Sequence, residues 1–274
     1  NWNDDGYADV LILQQSSPSL GQIVGYVLSG LELWDDPADV GLTGDWDPDF
    51  VPLATIRSDY TPRTAEAAEV IGSGSIASSA QRLTNLKATV AGDVDGDGLD
   101  DILFTDAGFI HFPPSGGSVG LPDIGRAYLM LGRTAVQTLY MGGEPLNPSL
   151  NYSDLVIQDF SLAADVSALG DLNGDGYGDF AVSSSREGRR AGDADTTREG
   201  GLFVFLGQAD FGAPGSVITP AEADFVVRRQ AESLMPENVS FHGVLQATAG
   251  DFNADGKMDL AVGEPSRELK TTGS

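Results

Sequence analysis

The chain has 274 residues, a formal net charge of −26 and no cysteine. Its length supports a large core, and 41% apolar residues exclude wholesale disorder. The charge excludes nucleic acid and anionic membrane as partners, since both need a basic surface. The missing cysteine excludes disulfides, zinc–thiolate sites and a thiol nucleophile, and points to an exported protein of prokaryotic source. There is no run of 18 apolar residues, hence no membrane span. No signal peptide is visible. The chain starts inside a motif, so the natural N-terminus is expected to lie elsewhere.

That motif is Asn1-Trp2-Asn3-Asp4-Asp5-Gly6-Tyr7-Ala8-Asp9, an acidic loop running into an apolar stretch at 8–14. The same nine-position pattern begins again at Asp93, Asp171 and Asp251, at spacings of 92, 78 and 80 residues. Short apolar runs bounded by turn residues are read as strands. After each loop comes a strand B, at 8–14, 101–105, 179–183 and 259–263. A strand C ending in glycine follows at 22–30, 126–132 and 201–207. Strand D is predicted at 68–71, 153–157 and 223–227, and strand A leads into the next loop at 87–91, 166–169 and 245–249.

The unit is therefore four strands in about 80 residues, an antiparallel meander repeated along the chain. This predicts an all-β chain, a β-propeller of four-stranded antiparallel blades, about two full and two partial. The repeat units are about 1–72, 87–157, 165–227 and 245–274, within one region covering 1–274. Such a chain is too short to close a ring alone. It is expected to be part of a larger propeller, to be completed by a partner chain, or to pair its two partial ends. Between the first strands C and D, residues 31–67 are read as a solvated loop holding Trp34, Trp46 and the acidic run Asp45 to Asp49. The B–C loops are placed at 106–125 and 183–200.

The repeated loop has the chemistry of a calcium site. Calcium takes about six to eight hard oxygen ligands, and side chains at alternating positions 1, 3 and 5 can converge on one point if the backbone wraps tightly. Glycine at position 6 permits that turn, and it is present as Gly6, Gly98, Gly176 and Gly256. The predicted side-chain ligands are Asp93, Asp95, Asp97 and Asp101; Asp171, Asn173, Asp175 and Asp179; Asp251, Asn253, Asp255 and Asp259; and Asn1, Asn3, Asp5 and Asp9. The carbonyl donors at position 7 are Leu99, Tyr177, Lys257 and Tyr7. An EF-hand is excluded, because position 12 is Ile12, Phe104, Val182 or Val262 rather than glutamate. Carboxylate count predicts three strong Ca²⁺ sites and a weaker one in the first loop, which begins at the α-amino group.

At these residues the sequence resembles the FG-GAP repeat family, the blades of the integrin alpha-subunit propeller and its bacterial relatives. The Asp-x-Asp/Asn-x-Asp-Gly-x-x-Asp loop and the strand after it carry the resemblance. Of the name-giving flanks, Gly263-Glu264-Pro265 is the one nearest to Gly-Ala-Pro. The resemblance implies a calcium-stabilised propeller, extracellular or at the cell surface, with the calcium loops on the face opposite the ligand-binding one. The B–C and D–A loops would then line the ligand face.

Function is read accordingly as a calcium-binding adhesion or interaction module presenting loops to a protein or glycan. Ligand-face candidates are Phe109, His111 and Phe112 in one B–C loop and Arg186, Arg189, Arg190 and Arg198 in the next. The alternative is the propeller of a calcium-dependent carbohydrate-active enzyme, such as a polysaccharide lyase. His111 and His242 are the only histidines and neither has a catalytic constellation in the sequence. The chain is therefore read as a non-enzyme.

Overall fold

The computed structural model describes residues 1–13, 23–30, 53–58, 86–109, 124–134, 137–141, 151–160, 165–184, 201–228, 239–241, 244–263 and 267–269. Among them every regular element is a strand except one 3₁₀ turn at Pro220–Glu222. The first blade holds β1 (Val10–Leu13), β2 (Ile23–Leu28) and β3 (Ala54–Ser58). The second holds β4 (Leu86–Gly92), β5 (Asp101–Phe109) and β6 (Ile124–Met130). Two short strands, β7 (Gln137–Met141) and β8 (Asn151–Tyr152), precede its last strand, β9 (Leu155–Phe160). The third blade runs β10 (Asp165–Gly170), β11 (Asp179–Ser183) and β12 (Gly201–Phe205), then β13 (Ser216–Ile218) and β14 (Phe225–Arg228). Last come β15 (Val239–Phe241), β16 (Gln246–Gly250), β17 (Asp259–Gly263) and β18 (Arg267–Leu269).

The two central blades are the predicted meanders. β4-β5-β6-β9 and β10-β11-β12-β14 are antiparallel in A-B-C-D order, with the acidic loops as the A–B hairpins. The architecture is that of β-propeller blades. Among the described residues the ring is not closed: β1 pairs with β2, while β16 and β17 pair with each other.

Blade stacking explains why the B and C strands read as continuous apolar runs. Successive side chains point to opposite faces, and here both faces are covered. Ile102 and Phe104 of β5 pack with Trp2, Val27 and Ile56 of the first blade. Leu103 between them packs with Phe180, Val182 and Phe203 of the third blade. Ala181 and Leu202 turn the other way, toward Leu245, Ala247 and Leu260. The core is thus divided into three clusters, each sandwiched between neighbouring blades.

Two features differ from the sequence reading. The stretch 31–67, read as a loop, contains β3, which occupies the D place beside β2. The strand expected at 68–71 lies outside the described residues. β3 escaped notice because Leu53 stands in its register where the later units carry Asp154 and Asp224. Second, the C–D connections are not plain loops. β7 adds parallel to the outer edge of β3, and β13 adds parallel to β9. Each arm leaves its own blade and latches the rim of the blade before it.

Candidate metal centre

The four acidic loops fold alike, each held by its own carboxylates. At position 1, Asp93, Asp171 and Asp251 accept the N–H of the sixth-position glycine with Oδ2, each at 2.9 Å. At position 3, Asn3, Asp95, Asn173 and Asn253 accept the N–H of position 5 at 2.8–3.3 Å. At position 5, Asp5, Asp97, Asp175 and Asp255 accept the N–H of position 7 at 2.8–3.0 Å. These bonds wrap the backbone around its acidic side chains.

Position 6 has positive φ in every loop, at 83°, 92°, 94° and 83° for Gly6, Gly98, Gly176 and Gly256. Position 4 does too, at 62°, 79°, 81° and 61° for Asp4, Gly96, Gly174 and Ala254. The second left-handed residue was missed in the sequence because aspartate and alanine stand there in two of the copies.

The aspartate at position 9 joins the loop to the blade. One oxygen accepts the N–H of position 2: Trp2 to Asp9, 2.6 Å; Val94 to Asp101, 2.7 Å; Leu172 to Asp179, 2.7 Å; Phe252 to Asp259, 3.0 Å. The other accepts the N–H of the glycine ending strand C: Gly30 to Asp9, 3.2 Å; Gly132 to Asp101, 2.7 Å; Gly207 to Asp179, 2.8 Å.

The loop at 93 gathers the most charge. One carboxylate oxygen each of Asp93, Asp95 and Asp101 lies within 4.8 Å of the others, the only such acidic trio among the described residues. Asp101 is fully buried. Burial, reinforced by Asp95 and Asp97, lifts its carboxyl from 3.8 to about 8, against the hydrogen bonds from Gly132 and Val94. Burial likewise raises Asp95, helped by Asp97, Asp93 and Asp154. It also raises Asp179, helped by Asp175 and Asp171. In the first loop the backbone bond from Tyr7 holds Asp5 below the ordinary range. There Asn1 Oδ1 is buried without a hydrogen-bond partner, and the α-amino group pairs with Asp100 rather than with the loop.

Oxygen-only donors, mutual repulsion and a buried anion are what a hard divalent cation would relieve. The residues present fit such an ion.

Two residues of this neighbourhood carried no role in the sequence reading. Asp154, just before β9, accepts from Leu131 N–H at 2.8 Å and from the Arg133 guanidinium at 2.7 Å. Asp224 repeats the first bond with Leu206 N–H, also at 2.8 Å. The signal was available: an aspartate precedes strand D in both units.

The ligand-face candidates fare differently. Phe109, placed in a loop by the sequence, ends β5, paired in register with Ile124, because the strand runs on past residue 105. His111, Phe112, Arg186, Arg189, Arg190 and Arg198 lie outside the described residues, as does His242. No helix among the described residues is long and apolar enough to cross a membrane.

The FG-GAP repeat family model matches residues 163–204 and 244–273. Integrin alpha-PS2 of Drosophila melanogaster is 30% identical over 178 residues, which is 64% of this chain and 11% of that protein. Integrin alpha-11 of Homo sapiens is 28% identical over 171 residues, 62% of this chain and 12% of that protein. Integrin alpha-5 of Xenopus laevis is 25% identical over 174 residues, 63% of this chain and 14% of that protein. The chain thus spans 11–14% of the length of these relatives.

Proposed function

The chain is a β-propeller region of the FG-GAP repeat, integrin alpha-like family, and from that premise we propose that it is a calcium-rigidified interaction module. Its four loops hold Ca²⁺ through positions 1, 3, 5 and 9 and the carbonyl of position 7, most tightly at Asp93, Asp95, Asp97, Leu99 and Asp101. The observation that carries this reading is the trio of carboxylate oxygens within 4.8 Å, one of them from the buried Asp101. The module works outside the cell or on its surface, within a larger propeller, and binds a protein or glycan rather than catalysing a reaction. Binding falls to the strand ends remote from the acidic loops, where β5 ends at Phe109.

Calorimetric titration of chelator-stripped protein with Ca²⁺ tests the metal reading. Saturable binding with a rise in melting temperature is expected, and silence in both readouts refutes it. Alanine at Phe109 or Arg186 should weaken partner binding while leaving the melting temperature alone. Equal loss of both would remove the ligand-face assignment.

A further inference from the structure

The acidic loops at 1, 93 and 171 are not separate. Gly178 N–H, at position 8 of the loop at 171, donates to the Asp93 carbonyl at 2.6 Å. Asp100 N–H, at position 8 of the loop at 93, donates to the Asn1 carbonyl at 3.1 Å. In each case the donor belongs to the peptide group whose oxygen is the seventh-position donor, Tyr177 O or Leu99 O. A trans peptide is planar, with its C=O and N–H pointing opposite ways. One rigid group therefore has a ligand oxygen of one loop on one side and the first ligand residue of the preceding loop on the other.

A second bridge runs alongside the first. Gly207 N–H holds Asp179 at 2.8 Å, and the next N–H, Gln208, holds the Val94 carbonyl at 2.9 Å. Gly132 holds Asp101 at 2.7 Å, and Arg133 N–H holds the Trp2 carbonyl at 3.2 Å. At the junction of the loops at 93 and 171 there is a third contact. The Tyr177 ring lies directly over Gly96, where no side chain would fit.

We propose that the loops at 1, 93 and 171 are coupled in series, so that cation binding in one loop orders the first ligand residue of the loop before it and raises that loop's affinity. The coupling is strongest between the loops at 93 and 171, where the bridging bonds are shortest and Tyr177 adds its ring. The proposal rests on the calcium reading above and adds a sign to it. Dications in independent neighbouring loops repel, which makes filling anticooperative. Fixed peptide bridges make it cooperative instead, and coupling between sites is reciprocal.

The test is a Ca²⁺ titration of the full chain followed by the amide resonances of Gly98 and Gly176. These donate to the first ligand of their own loops, so each reports its loop separately. Asp175→Asn, in an exposed side chain of the loop at 171, should raise the Ca²⁺ midpoint at Gly98 on the order of tenfold. Asp97→Asn should raise the midpoint at Gly176 by the same factor. Asp255→Asn, two loops from Gly98, should leave Gly98 within about twofold, since additivity holds for distant independent sites.

Several results overturn the coupling: an unchanged midpoint, a tighter one, or an equal shift from Asp255→Asn, which would mean global folding rather than local bridges. If neither resonance moves up to about 10 mM Ca²⁺, above the range of weak extracellular modules, the calcium reading itself is refuted. Circular dichroism at saturating Ca²⁺ checks that each variant is folded.

Discussion

The buried Asp101 makes stability, and with it the proposed calcium binding, depend on pH in a defined direction. Its carboxyl sits at about 8 in the folded chain and near 3.9 when unfolded. Between those values the folded chain holds a proton that the unfolded chain has released. Stability from this group is therefore complete below about pH 4 and is lost as pH rises toward 8. At 1.36 kcal/mol per pH unit the loss is on the order of 5 kcal/mol, comparable to the whole stability of many domains. Asp95, Asp154 and Asp179 are raised by burial and act in the same direction. Bound calcium stabilises the carboxylate without the proton, so Ca²⁺ affinity at this loop should rise with pH, by up to about tenfold per unit below pH 8. The assay is urea unfolding at pH 5, 6.5 and 8, in chelator and in excess Ca²⁺. In chelator, stability should fall from pH 5 to 8; in Ca²⁺ the fall should vanish. Asp101→Asn should remove most of the chelator slope. Relative to the fully protonated wild type it should lose roughly 1–3 kcal/mol, because its amide nitrogen must face one of the two N–H groups that Asp101 accepts. Chelated wild-type protein that gains stability from pH 5 to 8 would refute the reasoning, as would a full slope in the variant.

Three further substitutions probe the joints between blades. Gly207→Ala puts a methyl 2.5 Å from the Gly178 carbonyl and 2.8 Å from that of Val94, so urea denaturation should show a loss of about 3 kcal/mol. Phe180→Ala removes a fully buried ring stacked on Phe205 at 5.4 Å between the second and third blades. It should destabilise by about 3–5 kcal/mol, read in the same assay. Asp165 ties three A strands together, accepting from Lys87 at 3.0 Å and Gln246 at 2.9 Å. Asp165→Ala should cost about 1 kcal/mol at low salt and less at high salt, because Lys87 is largely in water.

The central blades were legible because period and punctuation agree there. Leu155-Val156-Ile157 and Phe225-Val226-Val227 each follow an aspartate, and the strands lie where the apolar runs do. The first blade lacks that punctuation at Leu53, so β3 passed for loop although Ile56 is fully buried. β7 and β13 were invisible for another reason. Each is a short strand whose partner lies in the preceding blade, so nothing in its own unit marks it. In the loops, alternating acids and a fixed glycine announced the hydrogen-bonded wrap of the backbone. The position-2 side chain did not announce itself, because its burial depends on the neighbour: Trp2 and Val94 are buried under the following blade, whereas Phe252 is 62% exposed.

Position 9 is set apart from positions 1 and 3 by what its carboxylate must do. Asparagine replaces aspartate at position 3 in three copies and at position 1 in one, whereas positions 5 and 9 are aspartate every time. An asparagine at positions 1 or 3 still offers an oxygen to a cation and to a neighbouring N–H. At position 9 the demand is different. In the first three loops both oxygens accept backbone N–H groups, one from the loop and one from the end of strand C. An amide would present a donor to one of those donors. At Asp101 and Asp179 the same oxygens carry a charge that burial makes expensive without a proton or a cation. Position 9 is therefore where blade assembly would meet the proposed cation binding, since the group that closes the seam between strands is, at Asp101 and Asp179, also one that an ion would relieve.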